Sequence, residues 1–343
     1  MAVIGNTYLD LLDVIKQRDP KGNIAPVIEM LMQLNPMMED AVAVQCNNGT
    51  SHTHLVRTGL PDGAWGKLYK GTPASKSEKE QVTDVTGFYE QLAEIDERVL
   101  ELAGSTGHAL RLNEAKAHLE AIAQEMQATM IYGSDVTAPE EFMGLAPRFN
   151  DKSAQNGNQI IDCVHTTPDT DNTSIWWVHW SDSTCFTLYP EGTQAGIKRK
   201  DYGLRRVEDS DSNPYFAYSE KFTQHCGIGL ADWRYVVRIA NIQNAELQAD
   251  PTNVDGNNNS LYHFMRKAFY QFEGRRFPQS GTSVIYCNKD VLEALDALGT
   301  NAGSNDIFAR LKPMEIQGKE VLTYRGIPIR ETDALHNAEA TVT

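Results

Sequence analysis

NEAKAHLEAIAQEMQATMIY, residues Asn113–Tyr132, has the pattern of one long amphipathic helix. Apolar side chains at Ala115, Leu119, Ile122, Met126 and Met130 recur at helical spacing and form one stripe. Asn113 is placed to cap the start, and Gly133 offers a left-handed residue just past the end. Such a helix would be roughly 30 Å long. The stripe stops short of three heptads, which excludes a coiled coil and leaves the pattern of a core helix.

Little globular pattern precedes it. Tyr8, Leu11, Leu12 and Ile15 share one short helical face, and Val27, Ile28, Leu31 and Leu34 share another. Each ends at a residue followed by proline, Asp19 and Asn35. From about Val42 to Gln91 turn formers and polar residues dominate, as in NNGTSHTH, TGLPDGAWG and KGTPASKSEKE. A structureless loop of that length is foreign to a compact domain, so the stretch predicts an extended two-stranded arm with strands near Thr53–Thr58 and Glu80–Thr86. An isolated two-stranded hairpin is marginal in water, which implies that the arm lies on another subunit.

Downstream of the arm, Leu92, Ile95, Val99 and Leu102 predict a helix closed by Gly104, with Glu94 and Arg98 as an i,i+4 pair. Thr137-Ala-Pro-Glu140 has the form of a capping box that opens a short helix before Gly144. SIWWVHW (Ser174–Trp180) and CFTLY (Cys185–Tyr189), joined by SDST, read as a hairpin. Further strands are expected at Tyr215–Phe222, Trp233–Ile242, Val284–Cys287, Met314–Tyr324 and Ile327–Arg330. Helices are expected at Ser260–Phe272 and Val291–Leu298, the second capped by Asn288 and closed by Gly299. Strands and helices in this mixture indicate an α+β fold.

The 343 residues, 41% of them apolar, suffice for one large or two modest domains. No run of 18 apolar residues exists and MAVIGNTYLDLLDVIK lacks a basic-then-apolar leader, so neither membrane insertion nor secretion is expected. Forty-six acidic against 31 basic residues give a net charge of −15, which argues against tight binding of DNA or RNA. The five cysteines are odd in number and have no zinc spacing, the usage of buried free thiols in a reducing compartment.

Motifs for chemistry are weak. Gly71-Thr-Pro-Ala-Ser-Lys76-Ser77 has Ser75 where a phosphate loop needs its second glycine. Gly227-Ile-Gly229 lacks the third glycine of a dinucleotide fingerprint and reads as a turn. His52 and His54 share a strand face but have no third metal ligand nearby. No nucleophile elbow is present. Trp176, Trp177 and Trp180 could form a sugar-stacking platform, yet adjacent strand residues face opposite sides, which favours core or interface. No catalytic, cofactor or metal residue is assigned. A cytoplasmic α+β enzyme with a site assembled from distant residues, and a carbohydrate-binding virion accessory, are the competing readings.

Several phrases taken in order carry a resemblance: RTGLP at Arg57–Pro61, GLAPRFN at Gly144–Asn150, NTSIW at Asn172–Trp176, YPEGTQAGI at Tyr189–Ile197 and GLADWRYVVRIANI at Gly229–Ile242. From about residue 8 to 335 the chain resembles the major capsid proteins of tailed bacteriophages, most closely the epsilon-fifteen-like, short-tailed-phage type. The resemblance implies a Hong Kong 97-type capsid fold. Its parts would be an N-terminal arm (1–41), an extended E-loop hairpin (42–91), peripheral-domain helices including a long spine helix (92–150), peripheral strands with part of the axial domain (151–245), and the axial domain (246–343). Against the prototype the element order is then permuted, because the peripheral strands precede the pieces that look axial. The implied function is self-assembly into an icosahedral shell of pentamers and hexamers around double-stranded DNA, in the bacterial cytoplasm and then the virion. Partners would be further copies of the chain, with scaffold, portal and decoration proteins, and packaged DNA enclosed rather than tightly bound. Trp65 and Leu68 would be anchors on a neighbouring subunit, with Arg57 and Lys76 as cross-subunit charge partners. The spine helix would pack its stripe on the peripheral strands, and His118, Glu120, Gln124 and Gln127 would face outward or toward a neighbour.

Overall fold

A computed structural model describes residues 33, 35–164, 170–208, 212–277, 280–301, 312–316 and 319–343. The two short helical patterns expected before Pro36 lie outside the described residues. The described residues divide into two compact units, one within 88–126 and 195–225, the other within 35–87, 127–194 and 226–343.

In chain order the principal elements begin with α1 (Met37–Asp40), β1 (Ala43–Gln45), β2 (Ser51–Gly59), β3 (Glu78–Val85) and β4 (Gly87–Asp96). Next come α2 (Glu97–Ala103), α3 (Gly107–Tyr132), α4 (Leu145–Arg148), β5 (Ile160–Asp162), β6 (Asn172–Trp180) and β7 (Cys185–Tyr189). Then follow β8 (Ile197–Glu208), β9 (Pro214–Leu230), β10 (Val236–Gln243), α5 (Asn244–Ala249), α6 (Leu261–Gln271) and β11 (Thr282–Cys287). The last are α7 (Lys289–Asn301), β12 (Lys312–Ile316), β13 (Lys319–Tyr324) and β14 (Ile327–Glu331).

The larger unit is built around β6, whose nine residues are all buried. A strand that is apolar on both faces needs cover above and below and partners on both edges. It has antiparallel β11 on one edge and antiparallel β10 on the other, and β14 and β13 continue the sheet beyond β11. The expected hairpin of SIWWVHW with CFTLY does not form. β6 meets β7 only at Trp180 and Cys185, in parallel sense, and β7 instead pairs with β9 and β1. The SDST link redirects the chain because its polar groups are spent locally: Thr184 Oγ1 donates to the His179 carbonyl at 2.8 Å. On one face of the sheet α6 and α7 enclose the main core, with Trp177 edge-on to Tyr324 and within 6.0 Å of Phe272. Asn288 caps α7 as expected, accepting from Val291 N at 3.0 Å, but the helix runs on to Asn301 past Gly299.

α3 has 26 residues, about 39 Å at the helical rise, and starts at Gly107, so Asn113 is not its cap. Ala115, Ile122, Met126 and Met130 are buried as the stripe requires, whereas Leu119 is 37% exposed. Gln127, expected to face outward, is fully buried and donates to Thr332 Oγ1 at 3.2 Å. Gly133 is not left-handed. A Cβ there would lie 2.6 Å from the Thr129 carbonyl and 2.7 Å from that of Phe142, so the residue is glycine for close approach. Gly144 donates to the Gly133 carbonyl at 2.8 Å, and Thr137 lies in a turn that Ser134 begins, its Oγ1 donating to the Ser134 carbonyl at 3.3 Å, instead of opening a helix.

In the smaller unit the expected Leu92–Leu102 helix is half strand. β4 extends to Asp96, which then caps α2 by accepting from Arg98 N at 2.8 Å, and Arg98 pairs with Asp96 rather than Glu94. Leu92 and Leu102 are exposed, while Ile95 and Val99 pack on Leu110. β8, absent from the sequence reading, pairs with β9 along eleven residue pairs. Buried Glu220 on β9 is held by Arg111 and Arg199, and Arg111 also reaches Asp201 at 2.9 Å. His118 stacks on Phe222 and bonds Gln91, so within this unit it is a packed residue and does not face outward.

Candidate intersubunit surface

β2 and β3 form a separate two-stranded antiparallel sheet, paired from Ser51–Val85 to Gly59–Glu78 with a register shift between Arg57 and Gly59. Eight residue steps at strand rise make a ribbon about 27 Å long. Sequence reading places the ends of both strands within two residues. Val42–Cys46, which alternates like a strand, contains β1 and belongs to the main sheet instead.

The sequence-assigned residues fall on this ribbon. Arg57 is exposed on β2, opposite Lys79. Trp65 and Leu68 lie in the irregular tip between the strands, and Lys76 ends it. Residues 60–76 are all exposed: Trp65 at 102%, Leu68 at 89% and Tyr69 at 107% of their free surface. Leu55 on β2 is exposed as well. Local hydrogen bonds, such as Ser75 Oγ to the Asp62 carbonyl at 2.6 Å, shape the tip without covering its apolar side chains. All four residues are thus brought to one ribbon and left in water. Clustered apolar surface of this kind marks a site of association.

The root of the ribbon is the opposite in character, and sequence reasoning missed it. Asp84 of β3 is buried and takes Arg148 Nη1 at 2.7 Å. The Arg148 guanidinium is further bound by the carbonyls of Gly144, Met143 and Ile228. Leu230 N donates to the other Asp84 oxygen at 3.3 Å, and His54 Nε2 lies 3.1 Å from the Leu230 carbonyl. Burial holds the His54 imidazole below its ordinary range, against the opposing pull of Asp84. His52 packs edge-on against Phe186. Among the described residues no group of three or more His, Cys, Asp or Glu is arranged to hold a metal ion.

Gly227 and Gly229 are in β9, not in a turn, and close contact explains both. A Cβ on Gly227 would sit 2.9 Å from the Val85 carbonyl, and one on Gly229 would enter the Phe186 ring. Trp176, Trp177 and Trp180 are fully buried, which overturns the sugar-platform alternative. Trp180 Nε1 donates to Tyr286 OH at 2.8 Å, and that hydroxyl donates to Asp40 at 2.7 Å. The five cysteines are buried free thiols, and burial pushes Cys185 up to about 12.

A chain that completes an aromatic core yet leaves an apolar ribbon tip in water is built as a subunit of a larger assembly. Comparison with known proteins gives the class its name. The family model of major capsid protein GP7 matches residues 19–343. Bacteriophage Epsilon15, solved at near-atomic resolution, contains a similar chain: TM-score 0.77, 32% identity, and coverage of 100% of both chains. The capsid of Myoviridae phage XM1 matches at TM-score 0.42 and 10% identity, over 63% of this chain and 94% of that one. No curated protein matches. The chain belongs to the GP7 major capsid protein family. It is a shell-forming head protein of a tailed phage, with the Hong Kong 97-type capsid fold, and its place is the virion capsid.

Proposed function

We propose that the chain builds an icosahedral shell of pentamers and hexamers that encloses double-stranded DNA, and that the β2–β3 ribbon acts in trans as its E-loop. The exposed tip is the observation that carries this reading. Trp65 and Leu68 are the anchors, at about 2 kcal/mol each when buried on a neighbour. Arg57 and Lys76 are the cross-subunit charge partners, and rim charges of this kind tune encounter more than strength. Residues 1–41 serve as the N-terminal arm and 42–91 as the E-loop. Residues 92–150 are the peripheral helices with α3 as spine, 151–245 the peripheral strands with part of the axial domain, and 246–343 the axial domain, in permuted order.

The protein acts without catalysis. Assembly takes place in the bacterial cytoplasm with scaffold, portal and decoration proteins, and the net charge of −15 keeps the enclosed DNA from sticking to its shell. Electron microscopy of the expressed protein tests the reading. Wild type is expected to give shells or capsomer rings, and a Trp65→Ala, Leu68→Ala variant a folded subunit that assembles at least tenfold less. A wild-type chain that remains a small compact oligomer at high concentration counts against it.

A further inference from the structure

α6 buries Leu261, Phe264, Met265 and Ala268 and turns Arg266, Lys267 and Tyr270 to solvent. Arg325 reaches the same place from the turn between β13 and β14, where it is held left-handed at φ 50°. Its guanidinium carbon lies 4.8 Å from the Phe269 ring centre and 5.7 Å from that of Tyr270. Arg275 approaches Tyr270 to 5.1 Å. Tyr270, 60% exposed, is therefore flanked by two guanidinium groups, and with Arg266 and Lys267 it lines an open cavity of about 400 Å³. Among the described residues no carboxylate pairs with Arg266, Lys267, Arg275 or Arg325, although neighbouring Arg276 and Arg330 are paired. Cations gathered without counter-charge repel one another, and exposed arginine stacked on aromatic rings is an apt contact surface.

The chain itself, at −15, supplies the counter-charge. α7 lies beside α6 on the same face of the sheet, where Tyr262 OH donates to the Leu295 carbonyl at 3.0 Å. Helical spacing puts Lys267 and Gln271 on the other flank of α6, away from Tyr262. The outward face of α7 carries exposed Glu293 and Asp296, which outnumber Lys289 at the start of the same stripe. A contact repeated around a ring joins two different faces of one subunit. We infer that the basic, aromatic face formed by α6, Arg275 and Arg325 docks onto the acidic face of α7 on a second copy of this chain. This rests on the reading that copies gather in rings.

Charge reversal tests it, with sedimentation velocity at about 0.1 M salt as the readout, where such contacts are only partly screened. R266E/K267E and E293K/D296K are each expected to lower the assembled fraction at least tenfold. All four changes in one chain should restore at least half of it, in chains shown by circular dichroism to be folded. Wild-type shells together with unaffected reversed variants overturn this contact alone, as does a fourfold variant that stays unassembled. Loss of binding to a fluorescent single-stranded oligonucleotide with assembly intact would assign the patch to polyanions instead. A wild-type chain that forms no rings or shells overturns the ring reading and this contact with it.

Discussion

Trp177 and Trp65 show the same side chain put to opposite uses. Trp177 is fully buried in β6 against Phe272 and Tyr324, and Trp65 stands wholly in water at the tip of the β2–β3 ribbon. The first stabilises the subunit. The second is fully exposed in the isolated chain, and under the proposed function it is held for association. Self-assembling subunits separate these roles in space, so that the fold survives before its partners arrive.

The sharpest way to break the comparison is to truncate both rings. Trp177→Ala should cost about 3–5 kcal/mol of subunit stability, through lost burial and the cavity left behind. Trp65→Ala should leave urea unfolding of the dispersed subunit within about 0.5 kcal/mol of wild type. Equal losses would erase the distinction.

Asp84 probes the boundary between the two regimes. Asp84→Ala removes one partner of a buried ion pair and leaves Arg148 charged without its carboxylate, an expected loss of about 3 kcal/mol in the same unfolding measurement. A near-neutral result would mean that the ribbon root is not clamped as the geometry indicates.

A smaller effect is expected from pH. The His54 imidazole is depressed below its ordinary value of 6.5, chiefly by burial, so the unfolded chain binds its proton more readily than the folded one. Stability should therefore fall as pH drops below about 6.5, until the folded-state value is reached. His54→Gln should flatten that part of a Tm-against-pH curve, and an unchanged slope would assign the acid sensitivity to other groups.

What could be read from the sequence follows the same division. The buried strand β6, helices α6 and α7 and the ribbon strands announce themselves, because each carries a periodic apolar or turn-bounded pattern. β8 does not: Lys198, Arg199, Lys200, Arg205 and Arg206 interrupt any alternation, as suits a charged outer strand that needs no apolar face. The Leu92–Leu102 spacing fits a helix by period, yet Asp96 with Arg98 two residues on was the cap that marks the true start. Pairing partners were beyond reach, since β6 with β11 and Asp84 with Arg148 depend on topology rather than on neighbours in sequence. The glycines at 133, 227 and 229 were visible, but their reason was contact with carbonyls and a ring from distant residues, not turn conformation.

The most direct test replaces residues 60–77 by Asn-Gly, a two-residue turn suited to the Gly59–Glu78 pair, and measures assembly by sedimentation velocity alongside subunit Tm. The account predicts a subunit with wild-type Tm that forms no shells. Shells of wild-type size from the shortened ribbon, or a chain that no longer folds, would contradict it.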